Sequence, residues 1–417
     1  MGEKGPRSWY PILIITMCIQ LILHAAISFR AVPKAIHTAL SHFSSVKDQA
    51  VPGYKSVRRW LTRVGLYKLN CLKEQATDWA FIVDNSIQIG VHKCLVILGI
   101  RLSKRPARAL NFEDIEILAL EVHEKTDAQS ICESLEKAQK RVGQVAMVCA
   151  DDGPDLRGGL RMFCTEHNVG RVFDITHKIG TFLKRFLEQD PHWQAFTLAA
   201  AEAKRKMQQT QAAHLAPPNQ RTKCRFLNIE ILVRWARDVL VALKDVIHPD
   251  RELLKIHCGW ILQYEEFIEQ LSQMSLLSQK VRHYVREQGI SNNTGDQIER
   301  ILEDSLVPLK FSIKACEYAG KLIDFCKEQG KIIPVGHVWI GSSEIIESLF
   351  GKLKNLEQDQ SKGGLTSLVL GAAACVGKVD ADIVQAALRK VKTADVDDWA
   401  AKQIGPTVLS KRRSALA

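Results

Sequence analysis

The residues best able to do chemistry in this chain are acids placed where chain geometry would gather them. "WAFIVD" is a short β-prone run ending at Asp84, and "QVAMVCADD" is a second, ending at Asp151 and Asp152. Far downstream, "GSSEIIESLFGKLKNLE" has a helical period. At about 100° per residue, Ile346, Leu349, Phe350 and Leu353 form one apolar stripe, with Glu347 and Lys354 on its border and Glu344 pointing away. If the strand before "ADDG" lies beside the strand of Asp84, two aspartates meet at one end of a sheet, and Glu347 can lean over the rim from its helix. Packed carboxylates repel one another, and divalent ions relieve that repulsion. Oxygen ligands suit Mg²⁺ or Mn²⁺. Two such ions about 4 Å apart activate a nucleophile and stabilise a leaving oxygen in phosphoryl transfer.

The elements that must position these acids follow from the pattern around them. From Trp79 the period is extended: "WAFIVD", "HKCLVILGIRL" and "IEILALEVHE" read as three strands, the first two a hairpin. "TDAQSICESLEKAQKRVG" reads as a helix, with Thr126 and Gln129 spaced as a capping box and Gly143 as its stop. A fourth strand ends at the aspartates, "GPDLRGGLRMFCTEHN" is a helix, "GRVFDITH" a fifth strand and "KIGTFLKRFLEQ" a helix. The order βββαβαβα predicts an α/β fold, a mixed five-strand sheet flanked by helices. From about Asp190 to Gly330 almost nothing is extended, which predicts an all-α domain inserted before the final helix. The expected boundaries are 1–74 for an N-terminal domain, 75–189 for the first part of the sheet domain, 190–332 for the helical insertion, and 333–417 for the final helix and a helical tail.

The N-terminal region carries most of the charge. Residues 1–70 hold ten Lys and Arg against Glu3 and Asp48, so eight of the eleven net positive charges lie in the first sixth of the chain. A concentrated positive region attracts a polyanion, most commonly nucleic acid. In "YKSVRRWLTRVGLYKL", Val57, Trp60, Leu61 and Val64 make an apolar stripe, and the opposite face carries Lys55, Arg58, Arg59, Thr62 and Arg63. Three short helices whose last presents arginines outward read as a helix-turn-helix unit with that helix in a major groove. Lys178, Lys184 and Arg185, with Arg221, Lys223 and Arg225, could line a DNA path, and Trp339 could stack on a base.

Two classes are disfavoured. Eleven cysteines, odd in number and without a C-x-x-C pair, argue against a disulfide framework or a structural zinc motif and for reduced thiols in a cytosol. The uncharged stretch from Tyr10 to Phe29 is about as long as a bilayer span. Yet Thr16, Gln20, His24 and Ser28 recur at every fourth position on one helical face, which a lipid-facing helix has no reason to carry. No membrane association is expected.

These features together resemble the bacterial insertion-sequence DDE transposases. The likeness rests on the strand order, on Asp84, "ADDG" and Glu347 with a basic residue seven positions later, and on "VDNSIQIGVHKCLVILGI", "ADDGPDLRGGL", "FDITHKI" and "SSEIIESLFGKLK". The resemblance implies an RNase H-like catalytic domain with an α-helical insertion, preceded by a helix-turn-helix domain. It implies Asp84, Asp151 and Glu347 as catalytic and metal-binding acids, with Asp152 the alternative for the second, and Mg²⁺ or Mn²⁺, two ions per site. Lys354 would contact transposon-end DNA. Asp174 and His177, read at the end of the fifth strand, could have supporting roles, with a hydrogen-bonded structural histidine the alternative for His177. The expected partners are double-stranded DNA, as inverted repeats and target, and a second copy of the chain. The expected location is the bacterial cytoplasm, at the nucleoid. A nuclease of the same fold that does not join strands, or an inactive DNA-binding descendant, are the alternatives.

Overall fold

A computed structural model describes residues 4–6, 8–42, 51–89, 92–123, 126–151, 153–220, 226, 229–306, 311–358, 366–406 and 408–416. The chain divides into two compact units, residues 1–172 with 343–417, and residues 173–342.

The first unit begins with helices α1 (Ile12–Leu23), α2 (Ala31–Ser41) and α3 (Tyr54–Asn70). Strands β1 (Ala76–Ile89), β2 (His92–Arg101) and β3 (Glu116–His123) follow, then α4 (Ala128–Val142), β4 (Gly143–Ala150), α5 (Pro154–Glu166) and β5 (Gly170–Phe173). The sheet order is β3-β2-β1-β4-β5, with β1 antiparallel to β2, β2 antiparallel to β3, and β1 parallel to β4. This is the expected RNase H-like α/β arrangement, a mixed five-strand sheet with flanking helices. Strand alternation sorts the side chains. Trp79, Phe81 and Val83 join Leu95, Ile97, Val148 and Ala150 under Ile131 and Leu135 of α4 and Leu156, Leu160 and Phe163 of α5.

Local chemistry sets the ends of these elements. The capping box of α4 falls one residue later than expected. The Asp127 carboxylate accepts from the Ser130 N–H at 2.8 Å, and the Asp127 N–H donates to Ser130 Oγ at 3.2 Å. An aspartate so placed accepts from the open first turn, and Thr126 instead accepts from Asn85 Nδ2 at 3.1 Å. Gly143 closes α4 with φ 97°, as its position predicts, and its missing Cβ leaves room for the Ala76 carbonyl.

The second unit contains α6 (Ile175–Leu187), α7 (Pro191–Met207), α8 (Ile229–Lys244), α9 (Arg251–Cys258), α10 (Glu265–Gln288), α11 (Thr294–Leu306) and α12 (Ile313–Lys331). The 24-residue α10 is its spine and packs against α6, α8, α11 and α12. Ser278 and Tyr318 share a buried hydrogen bond of 2.6 Å, and Phe196 lies among Trp260, Tyr264 and Phe267. The unit is helical as the sequence suggests, but it begins earlier than residue 190, because α6 packs on α10 and α12.

The chain then returns to the first unit as α13 (Glu344–Gln358), α14 (Leu370–Cys375), α15 (Ala381–Lys390), α16 (Thr393–Gln403) and α17 (Val408–Leu416). Here α3 takes a central place, packed against α1, α14, α15 and α16. Two buried cations hold it there. Lys68 Nζ donates to the carbonyls of Ala374, Val376 and Gly377 at 3.1, 2.6 and 3.0 Å. Arg63 donates to the carbonyls of Leu388 and Val391, both at 2.7 Å, closing the C-terminus of α15. Of the polar positions expected on one face of the first helix, Gln20 does the same, its Nε2 donating to the Val379 carbonyl at 2.8 Å; Thr16 is buried with its hydroxyl on the Ile12 carbonyl of its own helix, and His24 and Ser28 lie beyond the end of α1 at Leu23. Among the described residues no helix is long and apolar enough to cross a membrane, and no disulfide joins the described cysteines.

Close approach of α3 and α14 is possible because residue 65 is glycine: a Cβ there would stand 2.0 Å from the Leu370 carbonyl oxygen. Gly65→Ala is therefore expected to destabilise the protein by roughly 1–3 kcal/mol, since the backbones must part to admit one methyl group. Chemical denaturation of wild type and variant checks this; an unchanged midpoint would show that α3 and α14 are not in this contact.

Candidate functional site

The register of β1 with β4 brings the first two acids together. Val83 pairs with Ala150 across the parallel ladder, so the next residues, Asp84 and Asp151, stand on neighbouring strands about 5 Å apart. Val83 and Ala150 both point into the core beneath α4 and α5. Alternation therefore turns Asp84 and Asp151 to the opposite face.

Asp84 is 5% exposed, and its Oδ1 accepts from the Asn85 N–H at 2.6 Å. The strand was expected to end here. Instead β1 continues to Ile89, and its register with β2 shifts between Asp84 and Ile87, where three steps on β1 face two on β2. An extra residue of this kind bends a strand and re-aims its side chains. Asn85, which sequence reasoning passed over, sits in this bulge with its Oδ1 buried and without a hydrogen-bond partner. Its only sequence signal is a polar residue directly after an aspartate in an apolar run.

Asp151 follows the last residue of β4, half-buried, and its Oδ1 accepts from the Gly153 N–H at 3.2 Å. Gly153 caps α5, and a Cβ there would lie 3.1 Å from both carboxylate oxygens of Asp151. The glycine of "ADDG" thus leaves space for the acid two positions earlier. Asp152 lies outside the described residues.

The stripe of the final helix is as expected, with Ile346, Leu349, Phe350 and Leu353 all buried, and α13 packs against β1 and α14. Its acids are distributed differently: Glu347 is exposed, and Glu344, expected to point away, is half-buried in the first turn next to the buried Ser343. Lys354 is exposed two turns further on. The oxygens of Asp84, Asp151 and Glu347 do not close to within 4.8 Å of one another; among the described residues, the group of three that does is Cys132, Glu136 and Glu166. Hard oxygen donors on adjacent strands, with a third carboxylate on a helix packed to one of them, fit a divalent cation in donor type.

The basic face of α3 requires a correction. Lys55 and Arg59 are exposed, but Arg58 is half-buried and reaches Thr366 Oγ1 at 3.4 Å, and Thr62 and Arg63 are buried. Burial draws the Arg58 pKa down, partly opposed by Tyr54. Helices from the C-terminal part of the chain cover the second face of α3, so it does not lie open along its length as a groove-reading helix would. The pattern looked outward because those covering helices lie more than 300 residues away in sequence.

In the second unit, Asp174 does not extend the fifth strand. It is the N-cap of α6, 1% exposed, with its Oδ1 accepting from the His177 N–H at 2.7 Å. Lys178 stands over the rings of Phe173, Phe182 and Phe325, and Lys184 pairs with Glu188 at 3.5 Å. Trp339 is buried and exchanges backbone hydrogen bonds with Ile290. Arg221, Lys223 and Arg225 lie outside the described residues.

These placements separate two kinds of cation. Arg63→Ala is expected to lower stability by about 2–4 kcal/mol, because it leaves buried carbonyls unpaired. Arg59→Ala should change stability by no more than about 0.5 kcal/mol. Thermal melts of the two variants check this, and equal melting temperatures would place Arg63 on the surface after all.

No protein-family model matches this sequence, and no curated protein matches it. Among solved structures, the chain is similar to the Drosophila P element transposase strand transfer complex, at 10% sequence identity and a TM-score of 0.42, over 93% of this chain and 94% of that one.

Proposed function

We propose that this chain is a DDE transposase that cuts DNA at the ends of its element and joins the freed ends to a target. The observation that carries the reading is the side-by-side placement of Asp84, at the bulge of β1, and Asp151, just past the end of its parallel neighbour β4, with Glu347 on a helix packed to β1. Asp84 offers a buried carboxylate held by the Asn85 N–H, and Asp151 a more open one held by the Gly153 N–H. Glu347, exposed in the first turn of its helix, would supply the third carboxylate when the metal ions bind. When bound, a pair of Mg²⁺ or Mn²⁺ ions supplies an acidified water and charge neutralisation at a phosphate.

The DNA itself is held by cations that remain accessible. Lys354 lies on the same helix edge as Glu347, suited to a phosphate beside the scissile one. Lys55 and Arg59 present charge at the N-terminal end of α3, and so bind the backbone of double-stranded DNA from the helix end rather than along its side. Joining two element ends calls for two copies of the chain.

The test is Mg²⁺-dependent cleavage of DNA carrying the ends of the element that encodes the chain, followed by joining to a supercoiled target. Asp84→Asn and Glu347→Gln are expected to bind that DNA but cut it about a hundredfold more slowly or worse, the scale on which lost charge stabilisation shows in such sites. Variants that cut like wild type would remove these acids from the mechanism. Cutting without joining would leave a nuclease, and binding without cutting a DNA-binding protein.

A further inference from the structure

Among the described residues, the group of three metal-ligating side chains that draws within 4.8 Å lies away from the acids just described, on the other side of the sheet. Cys132 and Glu136 are one turn apart on α4, and their Sγ and Oε1 atoms are 3.7 Å apart. Glu166 is the last residue of α5, which packs against α4, and ligand atoms of Cys132, Glu136 and Glu166 all lie within 4.8 Å of one another. The next residue, His167, brings its Nε2 to 3.8 Å from Glu136 Oε1. That nitrogen is buried and has no hydrogen-bond partner. Its ring is held against Phe163, with centroids 4.8 Å apart, and Phe163 is fully buried.

We infer that Cys132, Glu136, Glu166 and His167 form a structural site for a borderline-soft divalent cation of the Zn²⁺ type. The donor set of one thiolate, one imidazole and two carboxylates is that of Zn²⁺ rather than of Mg²⁺, which takes oxygen alone. The spacing around Glu136 agrees as well. Tetrahedral coordination at bond lengths of about 2.0–2.3 Å puts neighbouring ligand atoms about 3.3–3.6 Å apart. The 3.7 and 3.8 Å from Glu136 to Cys132 and to His167 need only a small contraction, while His167, which stands outside the group of three that lies within 4.8 Å, must swing further to meet Cys132 and Glu166. A bound cation also gives the orphaned His167 Nε2 the partner it lacks, and the exposed Glu166 leaves a way in from solvent. Four protein ligands leave no open position, so the site clamps α4 to α5 and does no chemistry. It does not depend on the transposase reading.

The experiment uses the full chain, stripped with chelator and titrated with Co²⁺ in the presence of excess Mg²⁺. The expected result is one Co²⁺ per chain with a thiolate-to-cobalt charge-transfer band in the near ultraviolet, displaced by Zn²⁺, which also raises the melting temperature. Cys132→Ser should abolish the band. His167→Gln and Glu166→Gln should each weaken binding at least about tenfold. Glu166 is exposed, so its substitution tests the ligand set without risk to the core. Absence of the band, its persistence in Cys132→Ser, or unchanged affinity in both other variants would overturn the assignment and leave a thiol–carboxylate–imidazole hydrogen-bonding cluster.

Discussion

The parallel pairing of β1 with β4 is the constraint on which the candidate site depends. Side chains alternate with a period of two, so a one-residue slip would turn Asp84 or Asp151 into the apolar layer beneath α4 and α5. What prevents the slip is that layer itself: Trp79, Phe81 and Val83 on one strand and Val145, Val148 and Ala150 on the other are buried together. A buried, unpaired carboxylate costs several kcal/mol more than an apolar side chain in such a layer. The hydrophobic core therefore sets the register, and the register sets the acids. The bulge after Asp84 belongs to the same design, since it lets β1 keep its ladder with β2 while the chain changes course at the acid.

A second constraint organises the other face. α3 is enclosed by helices from both ends of the chain, and two of its cations, Arg63 and Lys68, serve carbonyls at the ends of α15 and α14. Helix C-termini present unsatisfied carbonyls and a partial negative charge, and a buried cation answers both. The positive charge of residues 1–70 is thus divided between folding and surface. Counting charge by sequence overstates what a polyanion can reach, because an ammonium with three carbonyl partners has no donor left for a phosphate.

Much of the fold was legible because it rests on local rules. The β-prone apolar runs of "WAFIVD" and "QVAMVCADD", the stop at Gly143 and the stripe of Ile346, Leu349, Phe350 and Leu353 each follow from a short stretch of sequence. The errors were of two kinds. Some were shifts of one or a few residues, such as Asp127 rather than Thr126 as the cap of α4, where several nearby side chains can compete for the same backbone donor. Others came from contacts remote in sequence. Nothing in "YKSVRRWLTRVGLYKL" tells that Leu370, Leu388 and Val391 will cover its basic side.

The sequence by itself determined which residues could act: the aspartates that follow two apolar strand runs, the glutamate on an amphipathic helix and the basic residue two turns beyond it. It did so because residue type and period are local properties. Only the tertiary structure decided that Asp84 and Asp151 are neighbours on one face, that Arg63 is a structural cation, and that Cys132, Glu136 and Glu166 converge with His167 beside Glu136. Those outcomes depend on which apolar surfaces find each other, and that matching is a property of the whole chain.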